Sequence, residues 1–145
     1  MKILVLNGPN INLLGIREKE MYGHDDYVAL CQYIQSTAHE LGITVDVQQT
    51  NSEGEMVTLI QEALDVYDGL VINPSAYACY SVAILDALKG VGLPSVEVHL
   101  TNVYKRETYR QHLVTAAGSV GTICGLGFQG YGLALRYLVD YIAAR

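Results

Sequence analysis

Two segments of this sequence combine residue types that move protons. The first runs from Asn7-Gly8-Pro9-Asn10 to Tyr22-Gly23 and carries both Arg17 and Tyr22. A tyrosine has a reference pKa of about 10 and is a poor base at neutral pH. A nearby guanidinium favours the tyrosinate. Lowering the pKa by about three units takes roughly 4 kcal/mol of differential interaction. One arginine in a closed, dry site supplies much of this, and Arg106 is a second source. The plainer alternative is a surface aromatic beside a solvated charge, and spacing alone leaves both readings open. The second segment is Glu97-Val98-His99-Leu100-Thr101-Asn102. On a strand, Glu97 and His99 share a face. A carboxylate beside an imidazole orients the ring and favours its protonated form, which suits a general acid. The alternative is a satisfied polar pair at a strand end. Backbone amides after His99, with the Thr101 hydroxyl, form a candidate anion site.

These segments need elements to hold them. Apolar runs bounded by turn residues alternate with helical periodicity along the chain. Strands are expected at 3–6, 43–47, 69–72, 95–98 and 120–124. Asp25 or Asp26 caps a first helix with a stripe of Leu30, Ile34, Ala38 and Leu41, ended by Gly42. Ser52 and Glu55 form a capping-box pattern opening a helix that runs through Val66. Further helices are expected at 81–89, 105–112 and 131–144, the last strongly apolar. Five strands alternating with helices imply right-handed crossovers and a parallel sheet covered on both faces. The expectation is one α/β domain over 1–145, a flavodoxin-like three-layer sandwich with strand order 2-1-3-4-5. Its switch point brings together the loops after strands one, three and four. The loop holding Arg17 and Tyr22 is long for such a connection, as lids are.

Bulk properties narrow the class. The chain has 145 residues, half of them hydrophobic, which excludes a disordered chain. A net charge of −6 argues against nucleic acid or an anionic membrane as partner, without excluding a local basic pocket. The apolar stretch after Met1-Lys2 is too short for a signal or a membrane span. Cys31, Cys79 and Cys124 are far apart, and an odd count fits a reduced cytoplasm. Gly125-Leu126-Gly127-Phe128-Gln129-Gly130 matches a dinucleotide fingerprint, but it lies in the last strand–helix unit with no later strand and no acidic ribose ligand. It is read as tight packing of the last helix on the sheet. His24, His39, His99 and His112 lack metal spacing, and His39 and His112 are read as helix-surface residues.

Several blocks, in order along nearly the whole chain, carry a resemblance. They are Asn7-Gly8-Pro9-Asn10-Ile11-Asn12-Leu13-Leu14-Gly15, Arg17-Glu18, Tyr22-Gly23, Asn73-Pro74, Ala76-Tyr77, Ser81, Asp86-Ala87-Leu88, Glu97-Val98-His99, Asn102, Arg106-Glu107, Arg110, and Gly125, Gly127 and Gly130-Tyr131. With these the chain resembles the type II 3-dehydroquinate dehydratases. The resemblance implies a cofactor-free and metal-free lyase that interconverts 3-dehydroquinate and 3-dehydroshikimate through an enolate. It is compatible with aromatic biosynthesis or with quinate breakdown. It implies Tyr22 as base and Arg17 as the group that closes the lid and stabilises the tyrosinate. Asn10 would orient a water on the enolate, and His99, backed by Glu97, would protonate the leaving hydroxyl. Asn73 and Asp86 would contact substrate hydroxyls, Asp86 from a neighbouring subunit. The Leu100 and Thr101 amides would hold the carboxylate, with Arg110 in contact and Arg106 supporting. The implied assembly is a dodecamer of trimers.

The match departs at four positions. Lys19 stands where a proline is usual, and Ser75 where a glycine is usual. If that position needs a positive φ, serine is strained there. Ala78 replaces threonine, and Cys79 replaces a substrate-contacting histidine. A thiol is shorter and a weak donor. Cys79 is read as a tolerated change that weakens substrate binding, as the mark of a paralogue for another hydroxylated cyclic acid, or as a new nucleophile. A non-catalytic ligand-binding protein on the same scaffold is the competing class.

Overall fold

Every residue from Ile3 to Asn7 is buried, as are all residues of the next two strands in the sheet. That pattern follows from a central parallel sheet with helices on both faces. The computed structural model describes residues 1–16 and 25–145. Its strands are β1 (Lys2–Asn7), β2 (Thr44–Gln49), β3 (Gly69–Asn73), β4 (Ser95–His99) and β5 (Gly121–Cys124). All neighbours pair in parallel, in the order β2-β1-β3-β4-β5. The expected α/β architecture and strand order are those observed. Among the described residues no helix is long and apolar enough to cross a membrane.

Among the described residues four α-helices cover the sheet: α1 (Tyr27–Leu41), α2 (Glu53–Glu62), α3 (Val82–Val91) and α4 (Phe128–Ala143). Side chains alternate between faces along a strand, so two cores form. Ile3, Val5, Val71, Val96 and Val98 pack with Leu30 and Ile34 of α1 and with Tyr131, Leu135 and Leu138 of α4. Leu4, Leu6, Leu70 and Ile72 pack with Met56 and Ile60 of α2 and with Ile84 and Leu88 of α3. The alternate residues of β4, Ser95, Glu97 and His99, contribute no apolar side chain to that second core.

Local signals explain the helix starts. The Asp26 carboxylate accepts from the Ala29 N–H at 2.8 Å, so Asp26 is the cap. Ser52 Oγ accepts from the Glu55 N–H at 3.1 Å. The box is only half closed, because the Glu55 carboxylate takes the Thr50 hydroxyl at 2.5 Å instead. The expected helix through Val66 stops at Glu62. The chain turns at Asp65, with φ of 63°, so that the Tyr67 hydroxyl can donate to Asp46 at 2.7 Å. The expected helix over 105–112 is instead two 3-10 turns, Val103–Lys105 and Thr108–Arg110. Asn102 caps the first, and Arg106 between them is extended. Only Val103 of these turns is buried, too little apolar surface to hold a continuous helix.

Among the glycines that allow close approach, Gly130 and Gly8 bear on the site. At Gly130 a Cβ would sit 3.3 Å from Val98 and 3.4 Å from Ile123, so the start of α4 lies directly on β4 and β5. This is the packing that the glycine-rich run was read to provide. At Gly8 a Cβ would sit 2.6 Å from the Pro74 carbonyl oxygen, where the Gly8 N–H donates to the Asn73 carbonyl at 2.8 Å. The atoms that a Cβ would meet are backbone, so no side chain can move aside to admit it. Gly8→Ala is therefore expected to lower stability by about 1–3 kcal/mol, read as a reduced urea midpoint at unchanged m-value.

Candidate active site

The register of the sheet places the site. Asn7 of β1 is opposite Asn73 of β3, and Glu97 of β4 is opposite Ile72, so His99 projects beyond the β3 end. The loops that follow close a pocket. Asn10 comes from the β1 loop, Asn73 and Cys79 from the end and loop of β3, and His99, Leu100 and Thr101 from the end of β4. Arg106 and Arg110 complete one wall. The pocket lining contains two guanidiniums and an imidazole, and no carboxylate among the described residues. A basic pocket thus sits in a chain of net charge −6.

The candidate residues are distributed unequally. Glu97 lies beneath the pocket, wholly buried, with Oε1 2.7 Å from His99 Nε2. Asp86 does not reach this pocket. It lies in a separate groove between α2 and α3, beside Val57, Leu64, Ala83 and Val91. Arg17 and Tyr22, with Lys19 and His24, lie outside the described residues. His39 is an exposed helix residue, whereas His112 is exposed but follows the second 3-10 turn rather than lying on a helix.

Each loop is tied down locally. Asn10 takes a left-handed conformation, φ 69°, that asparagine tolerates better than most residues, and its N–H donates to Asn51 Oδ1 at 3.1 Å. Gln49 Nε2 donates to the Gly8 carbonyl at 3.1 Å. On the β3 side, Ser75 has φ of 54°. The strain expected of serine at a positive-φ position is therefore present, at a cost of order ~1 kcal/mol. The Ser75 N–H donates to Asn73 Oδ1 at 3.0 Å and holds this turn. Arg110 Nε donates to Glu107 Oε2 at 2.9 Å, and Arg106 Nε is 3.9 Å from the same oxygen.

Burial pushes the Cys79 thiol above its usual pKa, and the Glu97 charge pushes the same way against Arg110 and Arg106. The side chain is thus a neutral thiol at physiological pH, which disfavours the nucleophile reading.

Two residues that bond to this site, Tyr131 and Thr115, were not singled out for chemistry in the sequence. Asn73 Nδ2 donates to the Tyr131 hydroxyl at 2.8 Å, and that hydroxyl donates to Asn7 Oδ1 at 2.7 Å. Tyr131 is completely buried on α4, and burial raises its pKa, so it remains a neutral hydroxyl. Burial, with Cys31 beside it, lifts the Tyr27 pKa to about 12, against a hydrogen-bonding approach of the Asn7 side chain that favours the ionised form. Asn7 Nδ2 itself makes no hydrogen bond of good geometry among the described residues. Thr115 Oγ1 donates to Glu97 Oε2 at 2.6 Å. A parity count along β1 and β3 is the signal that could have found Tyr131, since Asn7 and Asn73 must face the α4 side. Nothing local marks Thr115.

Tyr131→Phe would leave Asn7 Oδ1 and one Asn73 N–H unpaired in a dry layer. The expected loss is about 1–3 kcal/mol of stability, measured by urea unfolding.

Comparison with known proteins fits this arrangement. A family model described as class II dehydroquinase matches residues 1–139. The 3-dehydroquinate dehydratase of Clostridium acetobutylicum is 50% identical over 143 residues, covering 99% of each chain. That of Carboxydothermus hydrogenoformans is 50% identical over 145 residues, covering 100% of this chain and 94% of its own. Among solved structures, the type II dehydroquinase of Butyrivibrio crossotus superposes with a TM-score of 0.94 at 46% identity, covering 96% of this chain and 97% of its own. A 3-dehydroquinate dehydratase-like protein from Bifidobacterium longum gives 0.73 at 31% identity, covering 100% and 99%. With a matching family model over most of its length and relatives at half identity, this chain belongs to the class II dehydroquinase family.

Proposed function

We propose that the chain catalyses the reversible dehydration of 3-dehydroquinate to 3-dehydroshikimate, with Tyr22 as base and His99 as acid. The observation that carries this reading is the buried Glu97–His99 pair, 2.7 Å apart, at the edge of a pocket walled by Arg106 and Arg110. In the forward direction the Tyr22 tyrosinate takes a proton from the carbon next to the ketone. The electron pair of that C–H bond moves into an enolate, and Asn10 holds the water that stabilises it. The enolate then expels the hydroxyl, which His99 protonates so that it leaves as water. With Nε2 engaged by Glu97, Nδ1 is the ring nitrogen that delivers this proton. The anionic substrate suits the two arginines, and the Leu100 and Thr101 amides face its carboxylate. Asn73 contacts a substrate hydroxyl. Arg17 closes over the site and stabilises the tyrosinate.

The position of Asp86 bears on assembly. It cannot contact substrate in its own pocket, and it sits in a groove with apolar neighbours. In this reading Asp86 serves a neighbouring subunit's site, within trimers that build a dodecamer.

A second reading is motivated by Cys79, which supplies a poor donor at the pocket wall. On it, the chain is a paralogue for another hydroxylated cyclic acid, or a binding protein without turnover. An ultraviolet assay of the conjugated enone product separates these. Turnover of 3-dehydroquinate is expected, with Tyr22→Phe lowering kcat by about 100-fold or more. Thermal stabilisation by the substrate without any absorbance change would favour the binding protein. Cys79→His is expected to lower KM by about 2- to 10-fold, the value of one regained hydrogen bond. An unchanged KM would sink the tolerated-change reading of Cys79.

A further inference from the structure

The Glu97 carboxylate has no exposure to solvent, yet both of its oxygens are engaged. Oε1 meets His99 Nε2 at 2.7 Å, and Oε2 accepts from the Thr115 hydroxyl at 2.6 Å. Thr115 is likewise completely buried and does not line the pocket. We propose that Thr115 is a positioning residue for the acid, setting the plane of the Glu97 carboxylate and keeping the transferable proton on His99. This rests on the proposed role of His99.

The parity of β4 makes the arrangement necessary. Ser95, Glu97 and His99 all point to the side of the sheet where the 3-10 turn Thr115–Gly118 packs. That turn meets Ser95 as well, whose hydroxyl donates to the Gly118 carbonyl at 3.2 Å. Thr115 is therefore part of a layer that satisfies the polar face of an inner strand. Its backbone is fixed from two directions. The Val114 N–H donates to the Ala78 carbonyl at 2.7 Å, in the same loop as Cys79. Gly118 lies so close to α3 that a Cβ there would be 2.8 Å from the Leu88 Cβ.

The hydroxyl has two effects on the acid. A carboxylate held only by the imidazole can rotate about its last torsion, which is broad. A second hydrogen bond removes that freedom, and χ1 of a β-branched threonine is itself restricted. A donated hydrogen bond also favours the ionised carboxylate. The Nε2 proton shared with Glu97 then stays on the ring, which keeps the imidazolium from which the Nδ1 proton reaches the departing hydroxyl. Without the Thr115 hydroxyl, the buried carboxylate competes for the Nε2 proton, and a neutral ring is a weaker acid at Nδ1.

Thr115→Val removes the hydroxyl at nearly constant shape, and Thr115→Ser keeps it. Relative to wild type, the valine variant is expected to lose about 10-fold in kcat, part of the general-acid contribution, while KM for 3-dehydroquinate stays within about twofold. The serine variant is expected to recover most of kcat. In 15N spectra of the histidine rings, the imidazolium form of His99 should appear at lower pH in Thr115→Val than in wild type. Wild-type kcat in the valine variant, a serine variant as slow as valine, or identical His99 titrations would each overturn the proposal. The ring titration does not depend on turnover. If wild type itself gives no enone, the proposed function fails separately, and the titration still tests Thr115.

Discussion

Asn7, Asn73 and Glu97 stand at or near the carboxyl ends of the three inner strands, and none has meaningful access to water. A buried amide or carboxylate left unpaired costs more than its hydrogen bond contributes when paired. The surrounding layers must therefore bring polar partners to these side chains. α4 brings the Tyr131 hydroxyl to both asparagines, and the turn before β5 brings the Thr115 hydroxyl to Glu97. The two partners arrive from opposite sides of the sheet because Asn7 and Asn73 share the parity of Val5 and Val71, whereas Glu97 has the opposite parity to Val96 and Val98. The requirement to satisfy these groups thus links the last quarter of the chain to a site built mainly at the ends of β1, β3 and β4.

A consequence is a rigid floor under the pocket. Asn73 is held through Nδ2 by Tyr131 and through Oδ1 by the Ser75 N–H, which leaves a defined N–H for a ligand. His99 is held through Nε2. The same rigidity explains how serine persists at a positive φ: the turn is over-determined by the Asn73 side chain, and the strain is small against that network. Preorganised donors of this kind spend little energy on reorganising during a reaction.

Electrostatics act on a different scale. The net charge is −6, but the pocket wall presents Arg106 and Arg110. The surrounding negative charge disfavours extended polyanions, while a small carboxylate meets a concentrated positive field in a recessed, low-dielectric setting. Glu107 tempers one of these cations and fixes its direction through Nε.

Much of this was legible from residue order alone. The alternation of apolar runs with helical stripes points to a parallel α/β sheet, of which 2-1-3-4-5 is the commonest strand order, because crossover handedness narrows the topologies to a few. The adjacency of Glu97 and His99 on one strand face was also readable, since a period of two is local. Helix ends at Glu62 and in the 103–110 region were not, because they depend on what the side chains of Tyr67 and Asn102 find to bond. Tyr131 and Thr115 were not marked as site residues for the same reason: their partners lie 58 and 18 positions away in sequence, and only packing brings them together. Asp86 was expected at a neighbouring subunit's site, and only the tertiary structure shows that its side of α3 faces the α2 groove and not this chain's own pocket. Local periodicity determined which residues are inside. Which buried polar groups meet was decided by the way the helices pack across the sheet.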